Sequence, residues 1–172
     1  MTEIAPLAGV RIIEASMLGP AAVTTNLAEL GADVIKIEAP GGDYGRQMTW
    51  PIVEDTSLLF LHCNRGKRSI VLDLRTEEGV QTFKDLVADA DVVVEAMRPG
   101  ALARRGLGYD DLKAINPKIV FMTISGYGMT GPYRDLPSHG IAYDTWAGIV
   151  EPAYDEEGYC YIPQHISIGI NA

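Results

Sequence analysis

Short apolar runs alternate with helix-spaced stretches along most of this chain, and few folds satisfy that alternation. The runs lie at residues 10–13, 33–38, 69–73, 91–95 and 118–125. The run Asp91-Val-Val-Val-Glu95 is apolar throughout its middle. Strands buried on both faces read this way, because helices cover a parallel sheet above and below. Residues 21–30 carry apolar side chains at helical spacing and stop at Gly31, a natural helix end. Asp33-Val-Ile-Lys-Ile-Glu38 follows as a strand, ended by Pro40-Gly41-Gly42. Together these segments predict a compact β-α-β unit.

Residues 43–64 are less regular and hold Trp50-Pro51 and an apolar patch at 58–61. Thr76 is placed to cap a helix running to about Ala88, and Glu77 and Glu78 suit the positive end of its dipole. A short helix, a helical stretch at 109–115 and a turn at Pro117 lead into the strand at 118–125. Beyond Ser125 the texture changes. Gly126, Gly128, Gly131 and Pro132 make a loop, residues 141–150 read as helical, and 155–158 as a surface turn. The expected fold is α/β: a Rossmann-like, open, mostly parallel sheet with helices on both faces. Ligands of such sheets sit beyond the carboxyl ends of the strands.

Composition narrows the partners. With 23 acidic and 14 basic residues the formal charge is −9, which disfavours nucleic acid. A few placed cations can still hold a phosphorylated ligand in an acidic protein. No apolar run approaches the roughly 20 residues of a membrane span, and Met1-Thr-Glu-Ile-Ala-Pro6 has no leader-like pattern. Cys63 and Cys160 match no metal or redox spacing. The expectation is a soluble, cytoplasmic protein with no metal, no membrane and no nucleic-acid partner.

Several residues could carry chemistry. Glu14-Ala-Ser-Met-Leu-Gly-Pro20 is the first strand-to-helix junction; Pro20 suits a first helical position, and a helix start can receive an anion. A plain tight turn is the equal alternative. It is not a Gly-x-Gly-x-x-Gly fingerprint, which disfavours a nicotinamide dinucleotide. Asn64-Arg-Gly-Lys-Arg-Ser69 packs three cations into four residues before a strand. Such a cluster can hold phosphates, or can be a solvated loop. Arg98, Arg104 and Arg105 follow the strand at 91–95, where the ligand crevice is expected. His139 follows the glycine-rich loop and could act as a general base near neutral pH, although a lone histidine is more often structural. Asp144, in the helix after it, reads as a helix-face charge.

In order and spacing these segments resemble the class III CoA-transferase family, which includes formyl-CoA transferases and α-methylacyl-CoA racemase. The matching stretches include Pro6-Leu-Ala-Gly-Val-Arg-Ile, Gly19-Pro20, Leu30-Gly-Ala-Asp-Val-Ile-Lys-Ile-Glu38 and Asn64-Arg-Gly-Lys-Arg-Ser69. Asp73-Leu74, Asp91-Val-Val-Val-Glu95, Arg98-Pro-Gly100, Leu107-Gly-Tyr109, Asn116-Pro117, Ser125-Gly-Tyr-Gly and Gly131-Pro-Tyr-Arg134 complete them. The resemblance implies a CoA-binding domain and two chains interlocked like linked rings. It implies CoA contacts at Met17, Leu18, Arg65, Lys67, Arg68, Leu72, Ala96, Met97, Arg104 and Tyr127. Coenzyme A is then a co-substrate, and the partners are an acyl-CoA, a carboxylic acid acceptor and a second copy or a homologous subunit.

Two departures touch the CoA contacts. Ala39 stands where the family often has arginine, and Ala96-Met97 where Asn-Phe is usual. A third touches catalysis. The family's transferases use an aspartate after a glycine as the attacking carboxylate. The matching place is Ile168-Gly169-Ile170, and isoleucine can neither attack a thioester nor move a proton. The racemases pair that aspartate with a histidine; His139 matches it, but Gly140 stands where that group has the neighbouring aspartate. Residues 1–172 are therefore expected to be a truncated N-terminal, CoA-binding large domain that lacks the small domain and the C-terminal return. Three functions follow: CoA transfer between carboxylic acids, a non-catalytic partner subunit of a heteromeric transferase, or a His139-using racemase or isomerase. A nucleotide-binding module unrelated to CoA is the reading from another class.

Overall fold

The computed structural model describes residues 5–137, 140–148 and 151–161. It divides into two compact units, Met1–Ser125 and Gly126–Ala172. The first is built on five parallel strands: β1 Arg11–Ala15, β2 Asp33–Glu38, β5 Arg68–Val71, β6 Val92–Glu95 and β7 Val120–Thr123. Their spatial order is β5-β2-β1-β6-β7. The chain grows outward from β1 in one direction, returns through the connection from β5 to β6, and grows in the other. The order reverses between β1 and β6, and ligands of open α/β sheets bind beyond the carboxyl ends of the strands at such a reversal.

Helices α1 (Gly19–Glu29), α3 (Glu77–Ala88) and α4 (Tyr109–Ile115) connect these strands. Thr76 caps α3 as the sequence predicts, its hydroxyl accepting from the Gly79 amide at 3.0 Å. Asp111 accepts from the Gly108 amide at 3.0 Å and fixes the start of α4. The larger core lies on the α3–α4 face, where Ile13, Ile35, Val93, Phe83, Val87, Leu107 and Leu112 pack together. The α1 face buries Ile12, Val34 and Val94, with Leu27 of α1 against them. Alternate residues of each strand thus serve opposite cores, as two-sided burial of parallel strands requires.

The irregular stretch 43–64 is more ordered than its sequence texture. It forms a hairpin of β3 (Pro51–Val53) and β4 (Thr56–Ser57), then helix α2 (Leu58–Asn64) capped by the Ser57 hydroxyl. The apolar patch at 58–61 is the opening of α2, and Phe60 and Cys63 on it are buried.

The second unit contains α5 (Gly140–Trp146) and a small hairpin of β8 (Ala153–Tyr154) and β9 (Cys160–Tyr161). Tyr127, Tyr133, Tyr143 and Trp146 pack edge-on or tilted, with ring centroids 4.8 to 6.5 Å apart. Gly126 permits this packing, since a Cβ there would lie 1.8 Å from the Tyr143 ring. Asp144 is buried, not a helix-face charge as its sequence position suggests.

Candidate functional site

The carboxyl ends of β1 and β6 place two short segments at the reversal point. One is Ser16-Met17-Leu18, the other Ala96-Met97-Arg98. Met17 is exposed there, and the Met97 amide donates to Glu95 Oε2 at 2.8 Å. Leu18 holds φ 52° and ψ −131°, a combination that glycine takes freely and leucine does not. Such a conformation costs about 1–3 kcal/mol and persists only when the surroundings fix it.

Those surroundings are a buried set of ions under the turn. Glu14, Lys36 and Lys67 are almost fully enclosed, with side chains 0%, 1% and 2% exposed. Glu14 Oε1 accepts from the Ser16 hydroxyl at 2.8 Å and from Lys36 Nζ at 3.2 Å. Its Oε2 accepts from the Thr24 hydroxyl at 2.5 Å and from Lys67 Nζ at 2.7 Å. Lys36 Nζ also donates to the Ser16 carbonyl at 2.6 Å and pairs with Asp43 Oδ2 at 3.0 Å. Two lysines thus balance two carboxylates, so each buried charge has an opposite one within reach. Burial pushes the Lys67 ammonium down from its ordinary value, and the Glu14 carboxylate opposes that.

Glu38, at the end of β2, is a second buried anion. Arg46 grips it in a fork at 2.8 and 2.6 Å, while the Ser69 hydroxyl and the Asp43 amide also donate to it. Burial raises its carboxyl, but these donors together outweigh burial and hold it at about 2. Arg46 also lies 3.8 Å over the Phe60 ring.

A cleft of about 630 Å³ is lined by Leu74, Arg75, Thr76, Glu77, Val80, Gln81, Arg104 and Arg105. It joins the carboxyl end of β5 to the short 3-10 turn at Ala103–Arg105. Three guanidinium groups around one cleft suit phosphate oxygens. Arg75 is one of them, held by Asp73 at 2.8 Å, and sequence reasoning missed it. The Arg75 guanidinium holds the Asp73 carboxyl at about 2. Sequence offers one signal for Arg75: it follows a strand's carboxyl end by a few residues, as Arg98 does.

The structure divides the residues singled out in the sequence. Met17, Leu18, Ala96 and Met97 meet at the reversal point, Leu72 continues β5 beside the end of β2 at the edge of the sheet, and Arg104 lines the cleft. The basic loop is split. Lys67 turns inward, with Ala21 and Cys63 carbonyls at 2.6 and 2.9 Å in addition to Glu14. Arg65 pairs with Glu29 at the end of α1, at 2.5 Å. Arg68 forks onto Asp33 at 2.9 and 2.6 Å, and Arg11 shares that carboxylate. Asp33, Arg11 and Arg68 open their strands, so this group marks the amino end of the sheet, opposite the carboxyl ends of the strands. Tyr127 belongs to the second unit and its aromatic cluster. His139 and Ile170 lie outside the described residues. Among the described residues there is no group of three or more metal-ligating side chains, and no helix is long and apolar enough to cross a membrane.

A doubly wound parallel sheet whose strand order reverses between β1 and β6, with an arginine-lined cleft at its carboxyl end, defines a Rossmann-like α/β domain. The chain belongs to CoA-transferase family III, whose profile matches residues 7–168. It is 43% identical over 152 residues to the succinyl-CoA–L-malate CoA-transferase beta subunit of Chloroflexus aurantiacus, covering 83% of this chain and 38% of that protein. It is 46% identical over 156 residues to the succinyl-CoA:glutarate CoA-transferase of Mus musculus, covering 89% and 36%. A crystal structure of a CaiB/BaiF family protein from Brucella suis superposes with a TM-score of 0.83 at 40% identity, over 97% of this chain and 45% of that one. The chain therefore spans less than half the length of these relatives.

Proposed function

We propose that this chain binds coenzyme A and its acyl thioesters, and takes part in moving CoA from one carboxylic acid to another. The observation that carries the reading is the placement of an apolar crest and an arginine-lined cleft at the same end of the sheet. Met17, Leu18, Ala96 and Met97 give an apolar surface for the pantetheine arm, and Arg75, Arg104 and Arg105 supply charge for the phosphates. A CoA molecule has both characters in one extended chain. The relatives named as transferases of succinyl-CoA support a thioester and a free carboxylate as the two substrates.

Calorimetric titration of the chain with CoA and acetyl-CoA tests the reading. Binding is expected, and Arg104→Ala is expected to raise Kd about tenfold, as for loss of one charge-assisted phosphate contact. A folded chain that binds neither ligand overturns it.

A second reading has its own support. The Chloroflexus relative is named as a beta subunit, and Ile170 occupies the place that the family resemblance gives to the attacking aspartate. In this reading the chain binds CoA, and a homologous subunit supplies the carboxylate. Acyl transfer by the chain alone refutes it; transfer only after a homologous subunit is added supports it.

A further inference from the structure

We infer that Lys36 is a positioning residue for the ligand: through Glu14, Ser16 and Asp43 it holds the Ser16-Met17-Leu18 turn in its strained, receptive shape. The inference rests on the proposed binding of CoA at that turn. It adds a role for a side chain that sits beneath the surface and touches no ligand.

The geometry is specific. An ammonium has three protons and no acceptor. Lys36 Nζ faces three oxygens: it donates to the Ser16 carbonyl at 2.6 Å and to Glu14 Oε1 at 3.2 Å, and its charge pairs with Asp43 Oδ2 at 3.0 Å without an aligned hydrogen bond. One of the three belongs to the turn itself. The second, Glu14, is tied back to the turn by the Ser16 hydroxyl at 2.8 Å. The third, Asp43, accepts from the Gly45 amide at 2.8 Å, and a Cβ placed on Gly45 would lie 3.3 Å from Leu18 Cδ2. Lys36 therefore reaches both flanks of Leu18, the residue at φ 52°. Lys67 completes the frame from the helix side, joining Glu14 to the Ala21 carbonyl.

A lysine at the core of a parallel strand is an expensive way to build a sheet. Two opposite charges and well-placed acceptors offset its burial, yet an apolar residue of similar size commonly serves stability as well. What an apolar residue cannot do is hold a carbonyl and two carboxylates at fixed places around a backbone that would otherwise relax. Residues held in unfavourable backbone shapes cluster at ligand clamps, where their surroundings over-determine them.

The test is a double-mutant cycle on the chain at a temperature well below its melting point. Lys36→Met keeps the length and removes the charge. Leu18→Gly removes the strain, because glycine takes the Leu18 backbone shape unaided. With CoA as the probe, Lys36→Met is expected to raise Kd roughly tenfold in the parent and less than about threefold in the Leu18→Gly background, the coupling expected of residues in one network. Amide exchange at residues 16–19 of the ligand-free chain is expected to quicken in Lys36→Met. A general loss of stability moves neither the affinity of the folded fraction nor exchange at these residues alone. The same Kd ratio in both backgrounds, or unchanged affinity and exchange, overturns the inference. A parent chain that fails to bind CoA defeats the proposed function instead, and the exchange measurement still decides whether Lys36 holds the turn. Should Lys36→Met not fold, Ser16→Ala cuts only the link from Glu14 to the turn. It is expected to weaken CoA binding several-fold, and unchanged affinity would count against the network.

Discussion

Replacing Arg46 with methionine keeps the aliphatic stem and removes the guanidinium that grips Glu38. The Glu38 side chain is 2% exposed, so its charge then has no cation beside it. The Glu38 carboxyl stands at about 2 in the folded chain against 4.5 ordinarily. That depression favours the ionised, folded form at neutral pH. Ser69 and the Asp43 amide still donate to Glu38 in the variant. Losing the forked, charge-assisted bonds of Arg46 is expected to cost about 2 kcal/mol, with up to about 1 kcal/mol more from its place over Phe60. In a chain of this size a loss of about 2 kcal/mol lowers Tm by roughly 4–8 °C. The sign with pH follows from the direction of the shift. A carboxyl whose folded value is depressed adds stability that is fully present above 4.5 and is lost as pH falls toward about 2. Urea denaturation of parent and variant at pH 7, and at steps below pH 4.5, measures the difference. The gap between the two proteins should be full at pH 7 and shrink through that window. Asp73 titrates in the same range but is unchanged between the proteins, so the comparison removes it. Equal stabilities at pH 7, or a gap that does not narrow in acid, would refute the assignment of Glu38 as a paired, buried anion.

Three further outcomes are expected. Arg68→Ala should change CoA affinity less than about twofold and cost no more than about 1 kcal/mol, because its pair with Asp33 is half-exposed at the amino end of the sheet; a loss of affinity equal to that of Arg104→Ala would refute the placement. Gly79→Ala would set a Cβ 2.2 Å from the Asp73 carbonyl oxygen, so about 1–3 kcal/mol of stability should be lost together with the geometry of Arg75 in the cleft; an unchanged urea midpoint would sink this reading. Gly126→Ala should drive the Tyr143 ring out of its contact with Tyr127 and weaken the near-ultraviolet circular dichroism of the aromatic cluster, and an intact spectrum would contradict the packing described.

The sequence carried the architecture because period and punctuation are local properties. Strand β2 falls on residues 33–38 as read, Thr76 caps α3, and 109–115 is helical. Helix α2 was not legible, since a seven-residue helix has too few turns to show a face and follows a hairpin made by distant pairing. The proposed site was legible in part: Arg104 follows from its place beyond the carboxyl end of a parallel strand, whereas Met17, Leu18, Ala96 and Met97 came from the family resemblance, and the fold puts them beside the ends of β1 and β6.

Sequence by itself determined that this chain makes a parallel α/β sheet and which residues follow each strand. Only the tertiary structure decided where the charges go. Arg65, Lys67 and Arg68 are neighbours along the chain, yet they turn to Glu29, Glu14 and Asp33 respectively. Glu14 and Lys36 look like ordinary polar positions in strands, and become the buried support of a strained turn. Proximity in sequence fixes the position of a backbone atom within a few ångströms. The head of a long charged side chain goes to whichever opposite charge the fold brings within reach, because burial makes an unpaired charge prohibitively costly.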